Sequence, residues 1–253
     1  MRCWGKHPPG SRDECAPADM NSRARRTTPS VLVFDVNETL IDIESLAPLF
    51  GELFGDERVL REWFGQLVMY SMTATLAECY VDFFTLGQGV LHMLAEIHGV
   101  EVTDDDAHRL QDRMRTMPAH PDVAAGLTAL RDNGFRLITL TNSPHKPGAQ
   151  TPLENAGLAH FFEQQFSVES CRAFKPSPSV YRYVCQQLDV APADCMMVAA
   201  HVWDTLGAQN VGFSGALIAR PGNPPLPVDG LPQPDLVVSD LRELAEHLIS
   251  SPR

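Results

Sequence analysis

The chain has 253 residues, 44% of them hydrophobic, which is enough apolar material for a large core and excludes disorder of the whole. Its formal charge of −12 argues against nucleic acid or an anionic membrane surface as the main partner, and a small anionic substrate would need a local cation to overcome the global field. No segment reaches the run of apolar residues that a membrane helix requires, and the six cysteines show no CxxC or Cys/His ligand spacing, so they read as small apolar fillers in a reducing cytoplasm.

Residues 1–29 are polar, with scattered Arg, Ser and Pro and no apolar run, and are expected to be a disordered extension; Met20 is an alternative start. Val31-Leu32-Val33-Phe34 reads as a strand buried on both faces of a parallel sheet. Asp35 follows it directly, in Asp35-Val36-Asn37-Glu38-Thr39-Leu40. Open α/β sheets place their ligand crevice at such a strand end, and a carboxylate there can attack an electrophilic centre. Taken alone, such an aspartate equally reads as a turn cap.

From 45 to 117 the apolar spacing is helical: Leu46, Leu49, Phe50, Leu53 and Phe54, then Leu60, Trp63, Phe64, Leu67 and Val68. A third stretch covers 76–97 and a fourth 104–114, the latter capped by Thr103. The segment reads as an all-helical insertion, leaving 30–44 and 118–253 as one α/β core. In the core a helix is expected over 122–132 with Asn133-Gly134 as its stop, and a strand over 135–140. A short strand over 165–168, a helix over 177–188, a buried strand over 195–199 and a helix opening over 203–209 follow. Strands over 215–219 and 236–238 precede a closing amphipathic helix over 241–249. This alternation predicts a doubly wound parallel sheet. The loop 221–234 holds six prolines and reads as a stiff surface connection.

Four strand ends carry polar residues. Asp35 and Thr39 stand at the first and Thr141-Asn142-Ser143 at the second. Lys175 lies before the helix containing Tyr181, and His201-Val202-Trp203-Asp204 closes the fourth. A doubly wound sheet converges all four on one crevice. Lys175 is the only cation among them, hence the natural partner to keep Asp35 ionised. Each also has a duller reading: Lys175 as a solvated turn residue, Thr141 and Asn142 as turn formers, Asp204 as a helix N-cap, Trp203 as packing.

In these motifs the chain resembles the haloacid dehalogenase superfamily, and within it the L-2-haloacid dehalogenase (type II) branch, over residues 31 to about 249. The resemblance implies a Rossmann-like core with a helical cap. It makes Asp35 the nucleophile, Thr39 the hydroxyl bonded to it, and Thr141 and Asn142 the second motif. Lys175 becomes the neutralising lysine, Tyr181 that motif's tyrosine, and Asp204 the last acidic residue. Trp63 of the cap joins Thr39, Thr141, Asn142 and Tyr181 as an expected substrate-binding residue. Phosphatases of the superfamily typically carry an acid two residues after the nucleophile; here that position is Asn37, which suits a halide leaving group because halide needs no proton. The final motif offers Asp204 alone, so no metal and no other cofactor is expected.

The expected reaction is attack by Asp35 on C2 of a 2-haloalkanoate, then hydrolysis of the aspartyl ester. The pattern departs from the branch twice. The cap arginine is missing from Glu62-Trp63-Phe64-Gly65-Gln66-Leu67-Val68-Met69-Tyr70, with Arg61 just before it. His201 stands where an asparagine usually positions water, and reads either as a base or as a structural histidine. A magnesium-dependent phosphatase and an idle binding protein are the alternatives. A homodimer through the cap helices is left open.

Overall fold

The computed structural model describes residues 29–145 and 148–250. The expected disordered extension lies outside the described residues except at position 29, as does Met20. Six parallel strands form one sheet: β1 (Val31–Phe34), β2 (Arg136–Thr141), β3 (Gln164–Ser167), β4 (Cys195–Ala199), β5 (Ser214–Ile218) and β6 (Leu236–Val238). Their order is β3-β2-β1-β4-β5-β6. The chain winds outward from β1 in one direction and then restarts at β4 in the other. The crevice therefore falls above the carboxyl ends of β1 and β4, where Asp35 and His201 emerge. All residues of β1 and β4 are buried, as their continuous apolar runs require.

Four helices follow β1: α1 (Ala47–Phe54), α2 (Val59–Leu76), α3 (Phe83–His98) and α4 (Asp104–Arg115). They form the helical cap. The chain leaves and re-enters the core through two paired segments, with Ile41 bridged to Ala119, Asp42 N donating to Pro118 O at 2.8 Å and His120 N to Leu40 O at 3.0 Å. Thr103 and Asp106 form a reciprocal capping box at the start of α4, as Thr103's position leads one to expect. The stretch expected over 76–97 is corrected. Leu76 ends α2, and α3 begins only at Phe83, because Asp82 accepts hydrogen bonds from Phe84 N at 3.0 Å and Thr85 N at 3.1 Å and so starts a new helix.

The core helices are α5 (Val123–Asp132), a single turn α6 (Pro152–Asn155), α7 (Pro178–Leu188), α8 (Val202–Asn210) and α9 (Leu241–Ser250). The turn α6 has no counterpart in the apolar spacing; its signal is the Thr151–Glu154 capping box with Pro152 at its first position. Right-handed crossovers put α5 and α8 on opposite faces of the sheet, since β1 to β2 and β4 to β5 run in opposite directions. Two glycines permit close packing. A Cβ on Gly126 would lie 2.5 Å from Leu241 Cβ, and one on Gly207 would lie 2.5 Å from Pro176 Cβ and 2.9 Å from Tyr181 Cε2. Cys79, Cys171, Cys185 and Cys195 are free.

Candidate active site

The carboxylate of Asp35 is the centre of the site and is 5% exposed. Lys175 Nζ donates to its Oδ1 at 2.7 Å, and Thr39 Oγ1 donates to its Oδ2 at 2.6 Å. Thr39 can reach back because the turn after β1 places it four residues on, and the same hydroxyl accepts from Ala200 N at 2.8 Å, tying the ends of β1 and β4 together. Lys175 is fully buried and spends its other two hydrogens on Asp204 Oδ2 at 2.6 Å and Leu140 O at 2.9 Å. Tyr181 donates to Asp204 Oδ1 at 2.7 Å. Asp204 is therefore not the N-cap of α8. It sits inside the first turn, and both its oxygens serve the site.

Burial alone would push all of these groups toward neutrality. For Asp35 it is outweighed first by Lys175 and then by His201, and the carboxyl is held below the ordinary carboxylate range. Burial would likewise lower Lys175, but Asp204 and Asp35 together raise it. Asp204 ends raised, since burial and the neighbouring Asp35 charge exceed what Lys175 returns. Two carboxylates sharing one ammonium are thus pushed apart, with Asp35 the readily ionised one.

Thr141 and Asn142 are buried beside these groups, yet each serves the backbone: Thr141 Oγ1 accepts from Ser143 N at 3.1 Å, and Asn142 Oδ1 accepts from Lys175 N at 3.1 Å. Asn142 thereby fixes the peptide that carries the lysine. Asn37 donates to Ser143 Oγ at 3.3 Å. Trp63 is corrected. It is fully buried inside the cap, its indole donates to Gly87 O at 2.9 Å and its ring packs on Phe50, so it offers no surface to a ligand. The neighbouring Phe64 faces the site instead, with its ring centroid 5.7 Å from that of His201. Trp203 stacks on the same imidazole at 4.8 Å and 16°.

Glu38 and Arg220 escaped the sequence reading, and Arg61 entered it only as the residue just before the cap stretch. Glu38 is 3% exposed and takes Arg61, His201 Nε2 at 2.6 Å and Asn223 Nδ2 at 3.3 Å. Arg61 reaches down from α2 to Glu38 and Glu44, so it stands over the site although it precedes the expected cap stretch. Arg220 pairs in two-pronged fashion with Asp122 at 2.7 and 3.0 Å and donates to Thr39 O at 2.9 Å, buttressing the nucleophile's turn from below. Glu38, Arg61, His120, Arg220 and Pro221 are among the residues lining a cavity of about 170 Å³, which brings the start of the proline-rich loop to its rim. Among the described residues no cluster of three His, Cys, Asp or Glu side chains could hold a metal ion.

The family model for haloacid dehalogenase-like hydrolases matches residues 29–212. The chain is 31% identical to an (S)-2-haloacid dehalogenase of Pseudomonas sp. (strain CBS-3) over 194 residues, 76% of this chain and 85% of that one. It is 29% identical to an (S)-2-haloacid dehalogenase of Burkholderia cepacia, over 76% of this chain and 84% of that one. Its fold superposes with a TM-score of 0.79 on the L-2-haloacid dehalogenase of Xanthobacter autotrophicus with chloropropionic acid covalently bound, at 25% identity over 88% of this chain and 100% of that one. The strand-end constellation and these matches together place the chain in the haloacid dehalogenase-like hydrolase family.

Proposed function

We propose that this protein is an (S)-2-haloacid dehalogenase that works through an ester on Asp35. The observation that carries the reading is the Lys175 ammonium set between Asp35 and Asp204 at 2.7 and 2.6 Å, beside an amide, Asn37, where a leaving alcohol would need an acid. Asp35 attacks C2 of the haloacid from the side opposite the halogen, the C–O bond forms, halide departs with the bonding pair and the centre inverts. Lys175 keeps the attacking carboxylate ionised, Thr39 orients it, and Tyr181 holds Asp204 against the lysine. Thr141 and Asn142 shape the wall next to it. Halide leaves without a proton, so an amide at position 37 costs the reaction nothing. The proposal needs no metal.

Asp35 is buried, with Arg61 and Phe64 of the cap set against Glu38 and His201 next to it. The reading extends to a small anionic substrate, a cytoplasmic location in keeping with the four free cysteines, and a homodimer. For the last, Met69, Tyr70 and Leu76 on α2 are exposed apolar residues that a second copy would cover; light scattering should then return twice 27.9 kDa.

Pure enzyme supplied with (S)- and (R)-2-chloropropionate should release chloride from the S form alone and yield the R hydroxy acid, unchanged by EDTA. Failure to release halide from either enantiomer or from haloacetates, with chelator-sensitive hydrolysis of p-nitrophenyl phosphate in its place, would make the chain a phosphatase.

A further inference from the structure

The second half of the proposed reaction needs a base with a free lone pair next to the Asp35 carboxyl. Water must lose a proton as it attacks the ester carbonyl. All three hydrogens of Lys175 are committed, and the two oxygens of Asp204 are taken by Lys175 and Tyr181. His201 is the titratable group left beside the Asp35 carboxyl. It is 7% exposed, and its Nδ1 lies 3.7 Å from Asp35 Oδ2, too far for a hydrogen bond and without any other partner. A water set to one side of the line joining these two atoms can hydrogen-bond to both. The opposite nitrogen, Nε2, meets Glu38 Oε2 at 2.6 Å. An ionised carboxylate only accepts, so Nε2 carries the hydrogen and the lone pair of the neutral ring lies on Nδ1, the atom facing Asp35.

Glu38 is built to hold that tautomer. Its φ of 63° is a left-handed backbone that residues other than glycine seldom adopt. It is kept there by Glu38 N donating to Ile41 O at 2.8 Å and by His120 Nε2 against Glu38 O at 3.0 Å. Arg61 and Asn223 occupy Oε1, leaving Oε2 to the imidazole. Phe64 and Trp203 pack on the ring of His201, and among the described residues Asp35 and Glu38 act on it directly, with Lys175 behind Asp35 and Arg61, His120 and Arg220 around Glu38.

We propose, on the basis of the dehalogenase reading, that His201 is the base of the ester-hydrolysis step and Glu38 the residue that positions it. The bond from the water oxygen to Asp35 Cγ forms, and the bond from Cγ to the oxygen attached to substrate C2 breaks. The departing alkoxide keeps one water proton as the hydroxy acid, Nδ1 takes the other, and Asp35 is restored as a carboxylate. The next alkylation neutralises Asp35 and so removes one of the two anions that hold the imidazolium. Nδ1 then returns its proton to water while Nε2 keeps its hydrogen on Glu38, so that the lone pair again faces Asp35. In keeping with this cycle, His201 in the resting site is raised to about 9: burial would lower it, but Asp35 and Glu38 outweigh burial.

His201→Gln keeps a side chain that can still meet Glu38 but cannot take a proton. With (S)-2-chloropropionate it should release one chloride per site and then stop. Turnover should fall at least about 100-fold, and the intact mass should rise by one carboxyethyl group, mapped to the Asp35 peptide. Glu38→Gln should slow ester decay more than alkylation and move the acid limb of that decay to lower pH. A third arm uses the wild-type enzyme: ester decay should slow in deuterium oxide and on acidification through one ionisation. Wild-type turnover by His201→Gln, or a folded His201→Gln that cannot release even its first chloride, would overturn the assignment. So would wild-type ester decay indifferent to both pH and deuterium. A wild-type enzyme that releases no halide from any 2-haloacid would instead defeat the dehalogenase reading beneath it.

Discussion

Lys175 has three ammonium hydrogens and three acceptors within 2.9 Å, an arrangement with nothing spare. Replacing it by methionine leaves two carboxylates buried side by side without a counter-charge. Lys175→Met is expected to lower stability by about 3–5 kcal/mol, read from urea unfolding, and to cut halide release by a factor of about 10³ or more in whatever fraction stays folded. Retention of both would mean that the ammonium neither supports the fold nor activates Asp35. His201 makes a prediction of opposite sign with pH. Its native value is raised to about 9 from an ordinary 6.5, so the native state holds the proton more tightly than the unfolded chain. The stabilisation is full below about pH 6.5 and is lost as pH rises through about 9, on the order of 3 kcal/mol. Asp35 and Glu38 are lowered and act at the acid end instead, so the alkaline window belongs to His201. Urea midpoints should fall across that window in wild type and lose this slope in His201→Gln. A flat wild-type profile would refute the ion pairing. Asp35 and Asp204 were legible in the sequence because each stands just past a buried strand run, and Lys175 because it stands before a recognisable helix. Glu38 was passed over because its role depends on a left-handed turn and on an arginine 23 residues away, neither of which a residue pattern displays.

Helix α2 is the element that joins cap to chemistry. Arg61 contacts Glu38, Phe64 the imidazole of His201, and Thr75 Oγ1 accepts from Phe174 N at 2.9 Å, next to Lys175. These positions recur at helical spacing and form one stripe across the mouth of the site. The same periodicity misled the reading of Trp63, which lies one residue from Phe64 and so about 100° round the helix, in the cap's own core. Spacing identifies an apolar helix but not which of two apolar neighbours turns toward the core crevice. Below the site, α8 lies so near Pro176 and Tyr181 that only glycine fits at 207. Gly207→Ala must push Pro176 or Tyr181 aside, and either carries the lysine or its support. It is expected to cost about 1–3 kcal/mol and to lower turnover more than substrate affinity. Unchanged turnover would show that the lysine's position tolerates such a shift. The break between α2 and α3 was missed because apolar residues such as Tyr80, Phe83 and Phe84 continue through it, although Asp82 was the available signal.

At the scale of the whole molecule, the parallel, doubly wound sheet and the cap's place after β1 followed from strand and helix alternation, because βαβ units leave few ways to connect. The contacts that brace the site from a distance were not legible. Arg220 binds Asp122 and Thr39 across 98 and 181 residues, and only a folded chain brings them together. The formal charge of −12 sets a property that no single residue owns. An anionic haloacid approaches a like-charged molecule, so added salt should screen the repulsion and raise kcat/KM. A fall with salt would mean that Arg61 and its neighbours steer the anion despite the global charge.

Most directly, oxygen from labelled water can be followed into the enzyme. After many turnovers of (S)-2-chloropropionate in oxygen-18 water, the peptide containing Asp35 should carry the label, and a single turnover should give a hydroxy acid whose new oxygen came unlabelled from the protein. Label that enters the product in that first turnover and never reaches Asp35 would mean that water, not the carboxylate, displaces the halide.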